Sequence, residues 1–197
     1  MNIVIIKYNA GNTQSVIFGL NRLGIDPVLT DDPEEIMKAD KVIFPGVGEA
    51  STTMKYLRDH KLDKVIVNLK QPVLGICLGM QLMCAHSEEG DTSCLGIFDL
   101  NVRQFKAEGN RQYKIPQMGW NTLTSVHSPL FDAEMENSHV YFVHGFYVPL
   151  SKYTIATTEF IHPYSSAIAR DNFYAVQFHP EKSSATGEQI LKNFIAL

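Results

Sequence analysis

The sequence lacks the features that mark exported, membrane-spanning or nucleic-acid-binding proteins. Its 197 residues include only three cysteines, Cys77, Cys84 and Cys94. An odd count without a C-x-x-C pair argues against a disulfide framework and a cysteine-rich zinc site. No apolar run approaches the roughly 20 residues that cross a bilayer, and a net charge of −4 gives no basic surface for nucleic acid. We therefore expect a cytoplasmic protein that binds neither membrane nor nucleic acid and carries no metal or cofactor.

What is present is the composition of one globular domain. The sequence is 45% hydrophobic and 19% charged, and a chain of this length buries a sizeable core. Its first half alternates short unbroken apolar runs with amphipathic stretches, which predicts parallel strands covered by helices. We expect strands at 3–6, 27–30, 41–44 and 73–76, and helices at 13–23, 32–39, through Met54 to Leu69, and from Met80 onward.

The second half is richer in predicted strands, with turns between them. These strands are expected at 97–105, 118–124, 140–143, 154–160, 166–169 and 173–178, and a last helix at 185–195. No repeat, low-complexity segment or linker divides the chain. The sequence therefore predicts a single α/β domain over residues 1–197, with a mixed, mostly parallel central sheet flanked by helices.

Cys77 is the candidate nucleophile. It stands in the pentapeptide Gly-Ile-Cys-Leu-Gly, where a predicted strand runs directly into a helix. This is the cysteine counterpart of the turn that exposes a serine nucleophile in hydrolases, and a helix N-terminus favours a thiolate. The alternative is a small buried core residue, which is what most free cysteines are. Cys84, on the same helical face, is expected in the core, and Cys94 in a polar loop.

His179 is the candidate base for that nucleophile. It ends a predicted strand and is followed by Pro180 and Glu181, whose carboxylate can bend back to the imidazole and fix its tautomer. Strand ends in α/β sheets are where sites assemble. Taken alone, the tripeptide could be a surface turn. Of the other six histidines, His144 is a second candidate, interpreted as a residue of the pocket wall.

Two backbone segments are candidates for stabilising an oxyanion. One is the N–H of Leu78, which directly follows the nucleophile. The other is the segment 45–48, with the sequence Pro-Gly-Val-Gly, where two glycines flank Val47 and allow a peptide plane to turn inward. By itself this second segment is more simply a tight turn.

In chain order, these segments resemble the class I, triad-type glutamine amidotransferases, which have a flavodoxin-like fold. The resemblance covers essentially the whole chain and rests on segments 45–48, 75–81, 118–121, 141–144 and 177–183. It implies a glutaminase without a cofactor. The residues it assigns are a catalytic triad of Cys77, His179 and Glu181, oxyanion stabilisation at Val47, Gly48 and Leu78, and a glutamine site at Gln81, Glu89, Gly145 and Phe146.

The same resemblance implies a partner. It is strongest to members that form a heterodimer with a (β/α)8-barrel cyclase of histidine biosynthesis, which uses the ammonia to make imidazole glycerol phosphate and an aminoimidazole carboxamide ribonucleotide. Nothing in the sequence resembles that barrel, so the cyclase is expected to be a separate chain. The docking face is expected to include Asn12, Trp120, Tyr141 and Lys182. Lys7 and Gln117 depart from the family, which usually has an acidic residue and often a histidine there.

Three other functions remain open at this stage. An amidotransferase subunit that serves another synthase, such as one devoted to surface sugars, would share the same motifs. A binding or regulatory domain that has lost catalysis would not need Cys77, His179 and Glu181 intact. A cysteine peptidase could share the turn around Cys77, but the Met-Gly-Trp-Asn segment at 118–121 would have no role in it.

Overall fold

The computed structural model describes residues 1–8, 13–107 and 113–197. The first half contains β1 (Ile3–Ile6), α1 (Thr13–Asn21), β2 (Val28–Thr30), α2 (Pro33–Lys38), β3 (Lys41–Phe44), α3 (Ala50–Asp59), α4 (Leu62–Val67), β4 (Val73–Ile76) and α5 (Leu78–Met83). The second half contains β5 (Cys84–Ser87), β6 (Thr92–Ser93), β7 (Phe98–Gln104), β8 (Gln117–Thr122), β9 (His139–His144), β10 (Phe146–Tyr147), β11 (Thr154–Glu159), β12 (Pro163–Arg170), β13 (Phe173–Val176) and α6 (Ser184–Ala196).

A seven-stranded sheet forms the centre of the molecule. Its strand order is β11-β12-β13-β4-β3-β1-β2, with parallel pairing from β13 to β2 and antiparallel pairing of β12 with its two neighbours. The strands β1, β3 and β4 are buried along their whole length, as expected for a parallel sheet covered on both faces. The predicted α/β class and the mixed, mostly parallel sheet are confirmed.

Helices cover both faces of this sheet because successive side chains of each strand point to opposite sides. Val4 and Ile6 of β1 join one core cluster with residues of α2, α3 and α4, whereas Ile3 and Ile5 join the other with residues of α1 and α6. The α2 helix begins where the sequence predicted, because the Asp32 side chain accepts a hydrogen bond from the second helical N–H.

Several elements differ from the sequence prediction. The stretch expected as one helix up to residue 69 is two, because Lys61 adopts a left-handed conformation (φ 58°) between them. The helix after Cys77 ends at Met83, so Cys84 is buried as expected but begins a strand. That strand, β5, belongs to a second sheet of order β10-β7-β5-β6, and β8 pairs with β9 in a separate antiparallel ribbon.

The topology brings three chain segments to one edge of the central sheet. β4 lies between β3 and β13, and all three run parallel. Their carboxyl ends therefore lie side by side. The segment 45–48 follows β3, Cys77 follows β4, and His179 follows β13 three residues beyond its end. Within the described part of the chain, no helix is long and apolar enough to cross a membrane.

Candidate active site

Cys77 lies in the turn between β4 and α5 with backbone angles that side chains rarely adopt, φ 53° and ψ −108°. Such strain is held only where the surroundings impose it. Its N–H donates to the Val176 carbonyl of β13 at 2.8 Å. The glycine at position 79 is required because a Cβ there would lie 2.0 Å from the Phe44 carbonyl oxygen. The close approach of α5 to β3 thus holds the sulfur at the sheet edge.

His179 and Glu181 form a buried pair beside this sulfur. His179 Nδ1 lies 2.8 Å from Glu181 Oε1, and the two side chains are 4% and 1% exposed. The backbone at His179 is held on both sides, because its N–H donates to the Tyr141 carbonyl and its carbonyl accepts from the Ser183 hydroxyl at 2.7 Å. The imidazole orientation is therefore fixed by the carboxylate and by the main chain.

The pKa of His179 responds to both neighbours. Burial alone would lower it, but hydrogen bonds to Cys77 and Glu181, together with their negative charge, outweigh burial and raise the pKa to about 10. Cys77, His179 and Glu181 are thus in direct hydrogen-bond contact, in that order. At neutral pH the imidazole is therefore protonated, which places a proton donor beside the Cys77 sulfur.

The candidate oxyanion donors lie beside Cys77, and one of them, the Leu78 N–H, is occupied. The Leu78 N–H donates to the Gly46 carbonyl oxygen at 3.3 Å. Val47 and Gly48 line the cavity next to Cys77, and Gly48 has a φ of 131°, a region that favours glycine. In the planar Gly46–Val47 peptide, the Val47 N–H points away from the side to which the Gly46 carbonyl points. A rotation of this peptide would therefore free the Leu78 N–H and turn the Val47 N–H to the side that the carbonyl now occupies.

A cavity of about 330 Å³ opens in front of Cys77, a size typical of small-molecule sites. Its wall includes all four residues predicted to bind glutamine: Gln81, Glu89, Gly145 and Phe146. Gln81 Nε2 donates to the Phe146 carbonyl at 3.1 Å and to Gln177 Oε1 at 3.0 Å. With both amide N–H groups used, Gln81 presents only its oxygen to a ligand.

Glu89 supplies negative charge at this cavity. Burial raises the pKa of its carboxyl group, whereas the Ala50 N–H, which Oε2 accepts at 2.9 Å, lowers it, and the nearby charge of Glu49 raises it. Gln81 and Glu89 thus offer oxygen acceptors at the cavity wall, which suit an ammonium group.

Of the residues predicted for a docking face, Trp120 and Tyr141 lie opposite each other in the β8–β9 ribbon, and Lys182 lies at the cavity wall. Trp120 of β8 is 54% exposed and contacts Tyr141 of β9 edge to face, with 5.9 Å between ring centroids. Lys182 is exposed and lines the cavity. Asn12 lies outside the described residues.

Sequence reasoning missed two buried polar residues that contact the site. Gln177 is fully buried and its Nε2 donates to Cys77 Sγ at 3.7 Å. Tyr8 is buried next to segment 45–48, and its hydroxyl donates to the Pro45 carbonyl. Burial, followed by the charge of Cys77, raises the pKa of Tyr8 above its usual value. Both residues belong to recognisable segments, but a fully buried glutamine cannot be told from a solvated one by sequence.

The position of His144 was also predicted from the sequence. His144 lines the cavity and is buried, where the sequence placed its second histidine candidate. Within residues 1–8, 13–107 and 113–197, no three His, Cys, Asp or Glu side chains converge in a way that would hold a metal ion.

Comparison with known proteins gives consistent matches over the full chain. Residues 4–197 match the family model for glutamine amidotransferase class-I. The imidazole glycerol phosphate synthase subunit HisH of Bacteroides thetaiotaomicron is 56% identical over 197 residues and that of Bacteroides fragilis 55%, each covering 100% of both chains. The protein of the same name from Colwellia psychrerythraea is 46% identical over 98% of this chain and 92% of its own.

Solved structures agree in fold. A glutamine amidotransferase superposes with a TM-score of 0.74 at 17% identity, covering 98% of this chain and 97% of that one. PurLQS from Thermotoga maritima superposes with a TM-score of 0.73 at 13% identity, covering 99% and 97%. At such low sequence identities, the superpositions show only that the fold is the same.

Proposed function

Because this chain belongs to the class I glutamine amidotransferase family, we propose that it is the glutaminase subunit of an imidazole glycerol phosphate synthase in histidine biosynthesis. It hydrolyses glutamine to glutamate and ammonia for use by a second chain. The observation that carries the proposal is the buried contact series from Cys77 through His179 to Glu181 at the edge of the sheet. Full-length identities of 42–56% to synthase subunits support it.

The first chemical step forms a thioester. The Cys77 sulfur attacks the side-chain amide carbon of glutamine, and the carbonyl electron pair moves onto oxygen. As the tetrahedral intermediate collapses, the C–N bond breaks and His179 gives its proton to the leaving nitrogen, releasing ammonia. Glu181 holds Nδ1 so that Nε2 faces the sulfur and the leaving group.

The second step regenerates the enzyme. The now neutral His179 takes a proton from water, and the resulting hydroxide attacks the thioester carbon. The C–S bond breaks, glutamate leaves, and the sulfur is again paired with a protonated imidazole. Both tetrahedral intermediates carry negative charge on the former carbonyl oxygen, which the N–H groups of Leu78 and Val47 stabilise after the Gly46–Val47 peptide rotates.

Glutamine binds in the cavity with its two charged ends apart. Its α-ammonium group faces the oxygen atoms of Gln81 and Glu89, and its α-carboxylate faces backbone N–H groups of Gly145 and Phe146. The Phe105 N–H donates to the Gly145 carbonyl at 3.0 Å. Since the C=O and N–H groups of a trans peptide point in opposite directions, the Phe146 N–H is directed away from Phe105, to the side on which we place the carboxylate.

The ammonia passes to a (β/α)8-barrel cyclase, a separate chain that forms a heterodimer with this one. A protected route is needed because free ammonia is largely protonated at neutral pH and is then not a nucleophile. The docking face includes Trp120, Tyr141 and Lys182. An exposed tryptophan on the β8–β9 ribbon suits an interface anchor. A biosynthetic role of this kind fits a cytoplasmic location.

The direct test of this proposal is Cys77→Ala, assayed in the complex with the cyclase. We expect loss of glutamine-dependent formation of imidazole glycerol phosphate, because the variant lacks the sulfur that attacks the amide carbon. Turnover with added ammonium salt should persist, because the cyclase chain does that chemistry. Cys94→Ala, which alters a half-buried thiol away from the cavity, is the matched control and should leave both activities intact. Equal loss with both nitrogen sources would reject the proposal.

A further inference from the structure

Behind the cavity, three polar side chains meet in the interior. Gln117, His144 and Tyr164 are 5%, 5% and 0% exposed. Gln117 and His144 are paired in the β8–β9 ribbon, and Tyr164 comes from β12 of the central sheet. The Tyr164 hydroxyl lies 3.0 Å from the side-chain amide of Gln117 and 3.2 Å from His144 Nε2. The cluster therefore joins the exposed ribbon to the main sheet directly beside the cavity.

The protonation of His144 follows from its contacts. Its Nδ1 lies 2.7 Å from the Phe146 carbonyl oxygen, which can only accept, so Nδ1 carries a proton. Burial lowers the pKa of His144 to about 4, although the bond to Phe146 acts in the opposite direction, and the neighbouring His179 lowers it further. At neutral pH the ring is therefore uncharged, and Nε2 is an acceptor without a proton.

The Tyr164 hydroxyl then donates its single proton to His144 Nε2. The only hydrogen available to His144 Nε2 within this contact is the Tyr164 O–H. The same proton cannot also be given to Gln117. The remaining contact is satisfied when Gln117 presents its Nε2–H to the tyrosine oxygen, an amide orientation that heavy-atom positions do not distinguish from its reverse. Every donor and acceptor in these three contacts is then matched.

The chain of hydrogen bonds ends on the strand that faces the ligand. The Phe146 carbonyl accepts from His144 and also from Gln81 at 3.1 Å. The Gly145 carbonyl is held by the Phe105 N–H. Both carbonyl groups of the two-residue segment are thus fixed from behind, which leaves its N–H groups as the part that can meet a ligand.

We propose that Gln117, Tyr164 and His144 are positioning residues, joined by hydrogen bonds donated in the order Gln117 to Tyr164 to His144 to the Phe146 carbonyl, and that they hold the Gly145–Phe146 segment in place for the substrate's α-carboxylate. The inference rests on the proposed glutaminase function and adds to it. None of the three touches the reacting atoms. Their effect is on glutamine binding, and hence on KM, whereas the triad governs kcat.

The kinetic test uses Tyr164→Phe and Gln117→Leu in the complex with the cyclase. We expect KM for glutamine to rise at least tenfold, with kcat within threefold of the unaltered complex. Gln117→His restores an N–H at the same position and should bring KM back to within threefold. Tyr153→Phe is the matched control, because that ring packs on Phe98 away from the cavity, and it should change neither constant.

The outcomes separate this inference from the proposed function. An unaltered complex without glutaminase activity would reject the function itself. An active complex in which Tyr164→Phe and Gln117→Leu leave KM unchanged, or lower kcat alone, would overturn the positioning role. Co-elution of each variant with the cyclase in size-exclusion chromatography reports intact folding and docking, and it should be equal in all variants.

A second measurement determines the protonation of His144 in the unaltered protein. Nitrogen NMR of the unaltered protein labelled at histidine distinguishes the ring tautomers, with the His144 signal assigned by its absence in His144→Asn. We expect a neutral ring protonated at Nδ1, unchanged between pH 6 and 8. A ring protonated at Nε2, or a charged ring at pH 7, would overturn the proposed order of donors.

Discussion

Cys77 follows β4, and His179 and Glu181 follow β13. The three side chains lie next to one another in the interior at this edge of the sheet. The His179–Glu181 pair is among the least exposed groups of the described chain, and Glu181 Oε2 has no hydrogen-bond partner there. A buried carboxylate oxygen without a partner is costly. Such a cost is tolerated where the charge is needed, here to orient an imidazole and to stabilise its protonated form.

This reasoning predicts the effect of Glu181→Gln. The amide keeps the size of the side chain but removes the charge that helps raise the pKa of His179, and it no longer selects the productive tautomer. We expect kcat for glutamine to fall about 100-fold or more, with KM little changed. The measurement is steady-state glutamate formation in the complex with the cyclase.

The control for that variant is Glu188→Gln, which breaks an exposed i,i+4 pair with Lys192. Surface ion pairs of this kind contribute little to stability. The rate of glutamate formation by Glu188→Gln should therefore equal that of the unaltered complex. A Glu181→Gln variant with kcat within threefold of the original would remove Glu181 from the catalytic group.

The sequence indicated the catalytic residues better than the buried polar residues that contact the site. Strand ends and glycine brackets pointed to Cys77 and His179 because those signals are local in sequence. The contact of Gln177 with Cys77 spans 100 residues, and that of Tyr8 with Pro45 spans 37. Such hydrogen bonds are fixed by the packing of the whole sheet, which leaves no local pattern to read.

At the scale of elements, the proposed mechanism requires segment 45–48 to adopt a second arrangement. In this structure the Gly46 carbonyl accepts a hydrogen bond from the Leu78 N–H. Glycine at position 46 also allows the segment to pack closely on Tyr8, because a Cβ there would lie 2.6 Å from the Tyr8 hydroxyl oxygen. The Tyr8 hydroxyl holds the Pro45 carbonyl. Tyr8 therefore fixes the upstream end of the segment, next to the Gly46–Val47 peptide whose rotation the proposed mechanism requires.

Tyr8→Phe tests this anchoring. The ring and its contact with Phe44 remain, but the buried Pro45 carbonyl loses its donor. We expect the free energy of unfolding to fall by about 1–3 kcal/mol and kcat in the complex to fall about tenfold, because the segment is less well held for the oxyanion. Urea unfolding and steady-state kinetics measure the two effects. Unchanged stability and kcat would show that Tyr8 does not anchor the segment.

Elements were predicted well where burial is uniform and poorly where strands are short. β1, β3 and β4 have the predicted bounds because an unbroken apolar run between turn residues has few alternatives. β5 was missed because the apolar run 80–84 continues a helical pattern, and Cys84–Ser87 becomes a strand by pairing with β6 and β7. The second sheet and the β8–β9 ribbon likewise depend on contacts between distant segments.

At the scale of the whole molecule, buried His144 links stability to pH. Burial holds its pKa at about 4, below the 6.5 of an exposed histidine. The unfolded chain thus binds this proton more readily than the folded one. The stabilising contribution is complete above about pH 6.5 and is lost as the pH falls through 4, by about 3 kcal/mol in total.

The corresponding prediction compares the unaltered protein with His144→Asn, whose amide keeps a donor near the Nδ1 position. The difference in their free energies of unfolding should shrink by about 2–3 kcal/mol between pH 7 and pH 4.5. Urea titrations at the two pH values measure it, and other titrating groups cancel in the comparison. A difference that stays constant would mean that His144 is not buried in its neutral form.

The central claim is that this chain releases ammonia from glutamine efficiently only when its partner is bound, since the Leu78 N–H is occupied by the Gly46 carbonyl oxygen in the chain by itself. The most direct measurement is glutamate formation by the isolated chain and by its complex with the cyclase, at saturating glutamine. We expect a very low rate alone and a rise of about 100-fold or more in the complex, the usual worth of an oxyanion donor. Equal rates with and without the cyclase, or no glutamate in the complex, would contradict it.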